Sequence, residues 1–514
     1  MTQRKYVKNR LFADALRRAV QRSRTTALVL GSALLTACAV GPDYRAPPPV
    51  DIGEGWSQPV VPVPESASAS AALTRWWTSL DDAVLTRLID TALAQNLDLR
   101  HAYARIDEAR ALRDRVAGNK APVVGAGASV NRRRQSENGP LPIGSIPGLD
   151  ATQTIYDAGF DAAWEADLFG ANQRTLEGAS ARLQATEADA QGVRMRIVAE
   201  VARAWFSAVG ARDELRAQEA ILETLQHTLE LVRRRQALGD ASIADVDAAY
   251  AQWAAADAAV PDIQARQRAA VLSIAVLLGA PPERELVLLG ADSPPLNLLA
   301  LPVGERADVL RRRPDVLAAE RRLAASSADI GVATAELFPK LSIGVGGGFQ
   351  ALETGDWFNS SSTRFSILPL ISWRLFDGGR VRAEIRAREA AELQAALAYE
   401  QAVLTALGDA ERALGDYHAG LDTLGRRQAA LDATRRSHAH AQARYEAGDI
   451  ALVELLAAER MLHEAETANA RAHTVAAIQL VALYKALGGG WDARATPPTM
   501  ISPAQDPVAA APVE

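Results

Sequence analysis

Residues 157–168 read Asp-Ala-Gly-Phe-Asp-Ala-Ala-Trp-Glu-Ala-Asp-Leu. Ala158, Phe160, Ala162, Trp164, Ala166 and Leu168 alternate with Gly159, Asp161, Ala163, Glu165 and Asp167. A period of two sends the first set to one face of a strand and the second set to the other. One face is apolar with aromatics; the other is acidic or small. Alternation of this kind over about ten residues marks a transmembrane β-barrel strand, although a half-buried soluble sheet gives the same pattern.

Three further segments repeat it. Leu341, Ile343, Val345 and Phe349 alternate with Ser342, Gly344, Gly346 and Gly348. Phe365, Ile367, Ile371, Trp373 and Leu375 alternate with Arg364, Ser366, Ser372 and Arg374. A weaker segment runs through Val124, Ala126, Ala128 and Val130. The predicted strands cover 122–134, 152–169, 340–351 and 362–376. Four strands cannot close a barrel, since the smallest have about eight. A barrel therefore needs several copies of the chain; two, three or four satisfy the arithmetic.

Around the strands the period is helical and the sequence is written twice. Asn96-Leu97-Asp98-Leu99 matches Arg313-Pro314-Asp315-Val316, and the same register pairs Pro122 with Pro339. Ala237-Leu238-Gly239-Asp240 matches Glu446-Ala447-Gly448-Asp449, in a register that holds to Leu278-Gly279 against Leu487-Gly488. Each half predicts a helix (Leu80–Val116, Glu305–Leu337), two strands, then helix from Gln173 or Arg380 onward with one break. A proline-free stretch of about sixty residues would make a helix of roughly 90 Å. Abundant alanine favours such helices. Apolar positions spread over more than one stripe, as in a wall of helices, and do not hold a leucine heptad seam.

The amino terminus is an export signal. Arg4, Lys5, Lys8, Arg10, Arg17, Arg18, Arg22 and Arg24 precede Ala27-Leu28-Val29-Leu30-Gly31-Ser32-Ala33-Leu34. The apolar run ends at Leu35-Thr36-Ala37-Cys38, and Cys38 is the single cysteine. That order is a positive segment, an apolar segment and small residues before a cleavage site. Its apolar stretch is too short to span a bilayer, and nothing after Cys38 is long enough either. A membrane-crossing body must then be a β-barrel. The expected organisation is signal peptide 1–37, lipidated cysteine and Pro/Ala/Ser-rich linker 38–74, first repeat 75–290, second repeat 291–491 and a disordered tail 492–514.

This ordering resembles the TolC-like outer membrane factors, in the lipoprotein (NodT-type) branch that serves tripartite efflux systems. The motifs are Cys38-Ala-Val-Gly-Pro-Asp-Tyr44, Arg75-Trp-Trp77, Asn96-Leu-Asp-Leu99 and Arg311-Arg-Arg-Pro-Asp315. Ala335-Glu-Leu-Phe-Pro-Lys-Leu-Ser342 and Tyr484-Lys-Ala-Leu-Gly-Gly-Gly-Trp491 complete them. The resemblance implies a mainly α protein with a membrane β-barrel: a homotrimer whose twelve-stranded barrel continues into a periplasmic α-helical barrel. It implies a diacylglyceryl group on Cys38 and location in the outer membrane; Ala39 is not the aspartate that retains such lipoproteins in the inner membrane. The implied partners are a periplasmic adaptor (membrane fusion protein) and, through it, an inner-membrane RND or MFS pump.

By the same resemblance, the turns Leu238-Gly239-Asp240 and Ala447-Gly448-Asp449 form an adaptor-docking tip. Asp245 and Glu454 match acidic positions near the closed periplasmic gate, where rings of like charge favour cations. Ile450 stands where a basic partner is expected and Ala457 where a second acidic residue is expected, so Leu452 and Leu455 suggest an apolar constriction instead. Asp157, Asp161, Glu165, Asp167, Arg364 and Arg374 are candidates for the barrel lumen, with some of the acidic residues at its periplasmic mouth.

Catalytic signals are poor. His438 and His440 are two apart on a helix and face different ways, and His463 and His473 lack metal-ligand spacing. Gly344–Gly348 is a strand glycine run, not a dinucleotide loop. The Arg311–Arg313 run before Pro314 reads as structural. No enzyme activity, metal or cofactor is expected, and a net charge of −6 with no basic domain argues against nucleic acid. The competing readings are the outer-membrane duct of a type I protein secretion system and a non-pore coiled-coil scaffold.

Overall fold

The computed structural model describes residues 39–47, 50–53, 55–59, 73–136, 150–294, 298, 303–492 and 498–500. The signal peptide, Cys38 and most of the tail lie outside them. After a 3-10 turn at Trp76–Leu80, the first repeat contains α1 (Ala83–Gln95), α2 (Leu97–Gly118), β1 (Val123–Arg134), β2 (Thr152–Ala166), α3 (Ala171–Ala237), α4 (Ile243–Asp257) and α5 (Val260–Leu277). The second contains α6 (Arg306–Arg312), α7 (Pro314–Ala335), β3 (Lys340–Ala351), β4 (Thr363–Ser372), α8 (Arg380–Glu446) and α9 (Leu452–Ala486). The two long helices, α3 and α8, have 67 residues each. No described helix is long and apolar enough to cross a membrane.

The expected first helix of each repeat is in fact two. Asn96 ends α1 and caps α2: its Oδ1 accepts the Leu99 N–H at 2.9 Å, and its Nδ2 donates to the Leu277 carbonyl at 2.8 Å. In the second repeat Pro314 lacks an N–H to continue α6. Arg313 stands where Asn96 stood, and its guanidinium donates to the Ala486 carbonyl at 3.3 Å. Leu277 and Ala486 are themselves equivalent in the duplicated register, so the duplication preserves a contact with different chemistry at its two ends. The first repeat also has an extra break after α4, where Pro261 enters the first turn of α5. Ala470 occupies that register position in α9, which runs unbroken.

Two units divide the chain. Met1–Ala46, Ala109–Leu183 and Arg322–Ala396 make the first; Pro47–Glu108, Gln184–Arg321 and Leu397–Glu514 make the second. In the first, the four strands form one antiparallel sheet in the order β1-β2-β3-β4. β2 and β4 stop at Ala166 and Ser372, a few residues short of expectation. Trp164 Nε1 donates to the Lys120 carbonyl and Trp373 Nε1 to that of Leu337, each at 3.0 Å, another duplicated pair.

The core of the second unit explains three of the motifs. Trp76 stacks on Tyr484 with centroids 4.5 Å apart, and Trp77 is fully buried beside it. Buried Asp82 caps α1 through Oδ1, while its Oδ2 accepts from Trp205 Nε1 and Ser293 Oγ. Trp491 Nε1 donates to the Arg312 carbonyl. Buried Arg313 lies against Asp315 at 2.6 Å and Asp409 at 3.4 Å, so the arginine run is structural. The linker is packed where it is described: Trp56 Nε1 donates to the Gly304 carbonyl, Arg306 lies over its ring, and Ser57 bonds to Glu411. In the tail, the Met500 N–H donates to Asp107.

Candidate functional site

Register assigns the faces of the sheet. Asp157, Gly159, Asp161 and Glu165 on β2 lie opposite Gln350, Gly348, Gly346 and Ser342 on β3. Gly348 and Gly346 in turn lie opposite Arg364 and Ser366 on β4. Four of the predicted lumen residues therefore share one face. The other face carries Val124 and Val130, Phe160 and Trp164, Ile343 and Val345, and Phe365, Ile367 and Ile371. Phe160 and Ile367 are each 66% exposed, part of a large apolar surface that no described residue covers. The alternation is imperfect beside Pro369, where Leu368 and Leu370 join the polar face, and at Val123 and Ile155, which also lie on it.

On that polar face the Arg364 guanidinium grips Asp157 through two bonds, at 2.6 and 2.9 Å, and Gln350 Nε2 adds a third at 2.8 Å. Glycine is needed beneath: a Cβ on Gly348 would lie 2.6 Å from the Gly159 Cα. Arg374 departs from expectation. β4 ends at Ser372, and Arg374 lies beyond it, 3.6 Å from Glu336, which also holds Lys340. Asp167 is likewise a helix-start residue, accepting the N–H groups of Asn172 and Gln173 at the beginning of α3. The chain leaving Cys38 is tied down in this unit too: the Val40 N–H donates to the Phe169 carbonyl, and Asp43 pairs with Arg174 at 2.6 Å.

In the second unit, the two predicted turns close α3 and α8 identically. Gly239 and Gly448 have φ of +87° and +80°, which suits glycine. The Asp240 N–H reaches back to the Arg235 carbonyl and the Asp449 N–H to that of Arg444, each at 2.8 Å. This pattern satisfies the carbonyls that a helix end leaves open. Both turns are exposed, and Leu238 at 79% is an apolar side chain held in solvent.

The residues expected at the gate diverge beyond the turns. Asp245 closes a capping box with Ser242: the Ser242 N–H donates to its carboxylate at 2.8 Å, and the Asp245 N–H donates to Ser242 Oγ at 3.2 Å. The Ser242 N–H and then its hydroxyl hold the Asp245 carboxyl below its usual pKa range. Ala451, the equivalent N-cap, has no hydroxyl, and Glu454 stands exposed. Leu452 and Leu455 correct the apolar-constriction expectation. They are 9% and 3% exposed and pack with Leu229, Val232, Ala249 and Tyr445 inside the protomer, so they cannot line a passage. On the same helix Val453 and Glu454 are the exposed neighbours instead.

Glu459 and Glu214 escaped the sequence reading, and so did the proximity of His438 to His463. Glu459 is 2% exposed; Thr228 Oγ1 donates to its Oε1 at 2.7 Å, while Oε2 has no donor. Burial raises its pKa. Burial and then the neighbouring His438 push His463 down to about 4, so histidines on different helices meet. Burial would raise Glu214, but hydrogen bonds from Arg266 and Arg471 outweigh it and lower its pKa. Glu214, His463, Arg427 and Arg460 border a cavity of about 790 Å³. No cluster that could hold a metal ion occurs among the described residues.

A sheet with one polar and one exposed apolar face, two unpaired edges and paired helical turns is what a membrane duct requires. The family model for "Outer membrane efflux protein" matches residues 88–280 and 306–489, one stretch in each repeat. The chain belongs to the outer membrane efflux protein family. It is 32% identical over 463 residues to the outer membrane protein OprJ of Pseudomonas aeruginosa, covering 89% of this chain and 94% of OprJ. It is 30% identical to the pyoverdine export outer membrane protein OpmQ of Pseudomonas putida, covering 89% and 96%. The solved outer-membrane channel OprN matches with a TM-score of 0.78 and 37% identity, over 88% of this chain and all (100%) of that one. The chain has the TolC-like fold and is an outer-membrane efflux channel that extends into the periplasm. Outer membrane efflux proteins work as trimers coupled to periplasmic adaptors and inner-membrane pumps, and this chain is one of them. The family is one of channels and is not a known enzyme family.

Proposed function

We propose that the chain forms a passive exit duct for small molecules, with no catalytic step of its own, opened when an adaptor docks on Leu238–Asp240 and Ala447–Asp449. The sheet carries the reading. β1 and β4 each pair on one side only, so edges that would otherwise invite aggregation are satisfied by joining copies. Three copies supply twelve strands, with Asp157, Asp161, Glu165 and Arg364 toward the lumen and the Phe160 face toward lipid. Asp245 and Glu454 form the charged part of the periplasmic gate; Arg374 belongs to the junction of sheet and helices. Cys38 carries the lipid, and the strap through Val40 and Asp43 fixes where that lipid emerges.

Among the relatives, OpmQ is named for pyoverdine export and CusC for cation efflux. Their differing cargo agrees with selection by the pump rather than by the duct. Reconstituted trimers in planar bilayers test the proposal. Wild type should conduct, and Asp245→Ala with Glu454→Ala should reduce cation selectivity. Ser242→Ala, which loosens the cap but keeps the charge, should leave selectivity unchanged. No conductance from correctly assembled trimers overturns the duct; unchanged selectivity in the double variant overturns the gate.

A further inference from the structure

The sheet's connecting-loop end, opposite the helices, has its own chemistry. On β1 the register pairs Val130 with Tyr156, Arg132 with Thr154 and Arg134 with Thr152. Arg132 and Arg134 therefore share the apolar, lipid-facing side with Val124 and Phe160, and Arg133 lies on the opposite face. Tyr156, level with Val130 and one same-face step short of Arg132, belongs to an aromatic cluster. Tyr156 and Trp357 have centroids 5.4 Å apart, Trp357 stacks on Phe358 at 5.1 Å, and Phe358 meets Phe349 edge-on at 5.6 Å. Hydrocarbon-compatible side chains, then aromatics, then guanidinium groups follow the profile of a membrane interface.

The two ends of the sheet treat their cations differently. At the helix end, Lys340 and Arg374 both rest on Glu336. At the loop end, Arg132 is exposed and has no ion pair among the described residues. A long basic side chain can bury its stem on the apolar face and hold its head at the headgroup level. Because the helices extend into the periplasm, this end meets the outer leaflet.

We propose that Arg132 and Arg134, with the Tyr156–Trp357–Phe358 cluster, bind the phosphorylated headgroup of an outer-leaflet glycolipid of the lipid A type. The guanidinium groups take the phosphate, a bidentate match that an ammonium does not reproduce. The aromatic cluster takes the first carbons of the acyl chains. The site rests on the outer-membrane channel reading, which sets the orientation of the sheet.

Purified trimers in detergent, titrated with lipid A and followed by native mass spectrometry, test it. Wild type should retain lipid A. Arg132→Gln with Arg134→Gln should weaken retention about tenfold or more, equivalent to 1.4 kcal/mol. Arg133→Gln, on the other face, should bind as wild type does, and fully dephosphorylated lipid A should bind wild type as weakly as lipid A binds the double variant. Bilayer conductance of the double variant should match wild type, which establishes assembly independently and separates failure of this site from failure of the channel reading. Retention unchanged in the double variant, or lost equally in Arg133→Gln, overturns the proposal. So does displacement of lipid A by inorganic phosphate at equal concentration, which would make the site one for free anions.

Discussion

Removing the hydroxyl of Thr228 should measurably loosen the helices that end at the Gly239 and Gly448 turns, the proposed tip. Among the described residues Thr228 Oγ1 is the sole donor to Glu459, which is 2% exposed and follows the buried Leu455 and Leu456 on α9. Thr228→Val keeps the volume and leaves a buried carboxyl with neither oxygen satisfied. Orphaning a buried polar group costs about 1–3 kcal/mol, and the middle of that range is about 2 kcal/mol. At 1.36 kcal/mol per factor of ten, amides opening with the tip should exchange about thirtyfold faster. Adding Glu459→Leu removes both partners and should restore most of the protection, a coupling of about 1–3 kcal/mol in a double-mutant cycle. Hydrogen–deuterium exchange over residues 225–260 and 445–460, corrected for intrinsic rates, reads both effects.

The pH dependence has a definite sign. Burial raises the Glu459 pKa above its ordinary 4.5, so the folded chain prefers the neutral form. Its contribution is complete below 4.5 and is lost as pH rises through the raised value. Tip protection in wild type should therefore fall with rising pH, and Glu459→Gln should flatten that slope. Equal protection in Thr228→Val and wild type, or zero coupling in the cycle, would refute the reasoning.

Asn96→Ala should destabilise the protein by about 2 kcal/mol, from a lost cap and an orphaned Leu277 carbonyl, read as lower resistance to urea. Asn96→Asp should recover the cap alone, about half of that loss. Cys38→Ser behind a cleavable signal should retain pore conductance, because the barrel itself anchors the trimer; total loss at normal trimer levels would contradict this.

Local chemistry made much of the fold legible. The alternation around Phe160 and Trp164 located β2 because side-chain period follows directly from strand geometry. Gly239 and Gly448 located both helix ends because few other residues adopt positive φ there. Duplication then doubled every signal: two 67-residue helices, two tryptophan-to-carbonyl bonds and two matching turns. Asn96 and Arg313 show the limit, since unlike residues make the same interhelical contact and only the fold exposes their equivalence.

The candidate site was legible where a face is set by register and illegible where it is set by packing. Asp157 and Arg364 lie far apart in sequence on strands whose alternation put both on one face; their ion pair follows from β2–β3–β4 pairing. Arg374 read as the next lumen residue only because a strand's end is not written in its alternation. Leu452 and Leu455 sat at plausible gate positions, yet their helix rotates them inward. On an alanine-rich helix many faces are apolar enough to be buried, so neighbours choose among them.

The sequence by itself determined the duplicated order of elements, the strand faces and the two glycine turns, because each depends on residues close in the chain. Tertiary structure alone decided which leucines are core, that Asp245 caps a helix, that Glu459 is buried beside Thr228, and that Arg132 lies beyond an aromatic rim. Those depend on rotation and proximity of distant segments, which burial and pairing energies settle only once the chain is folded.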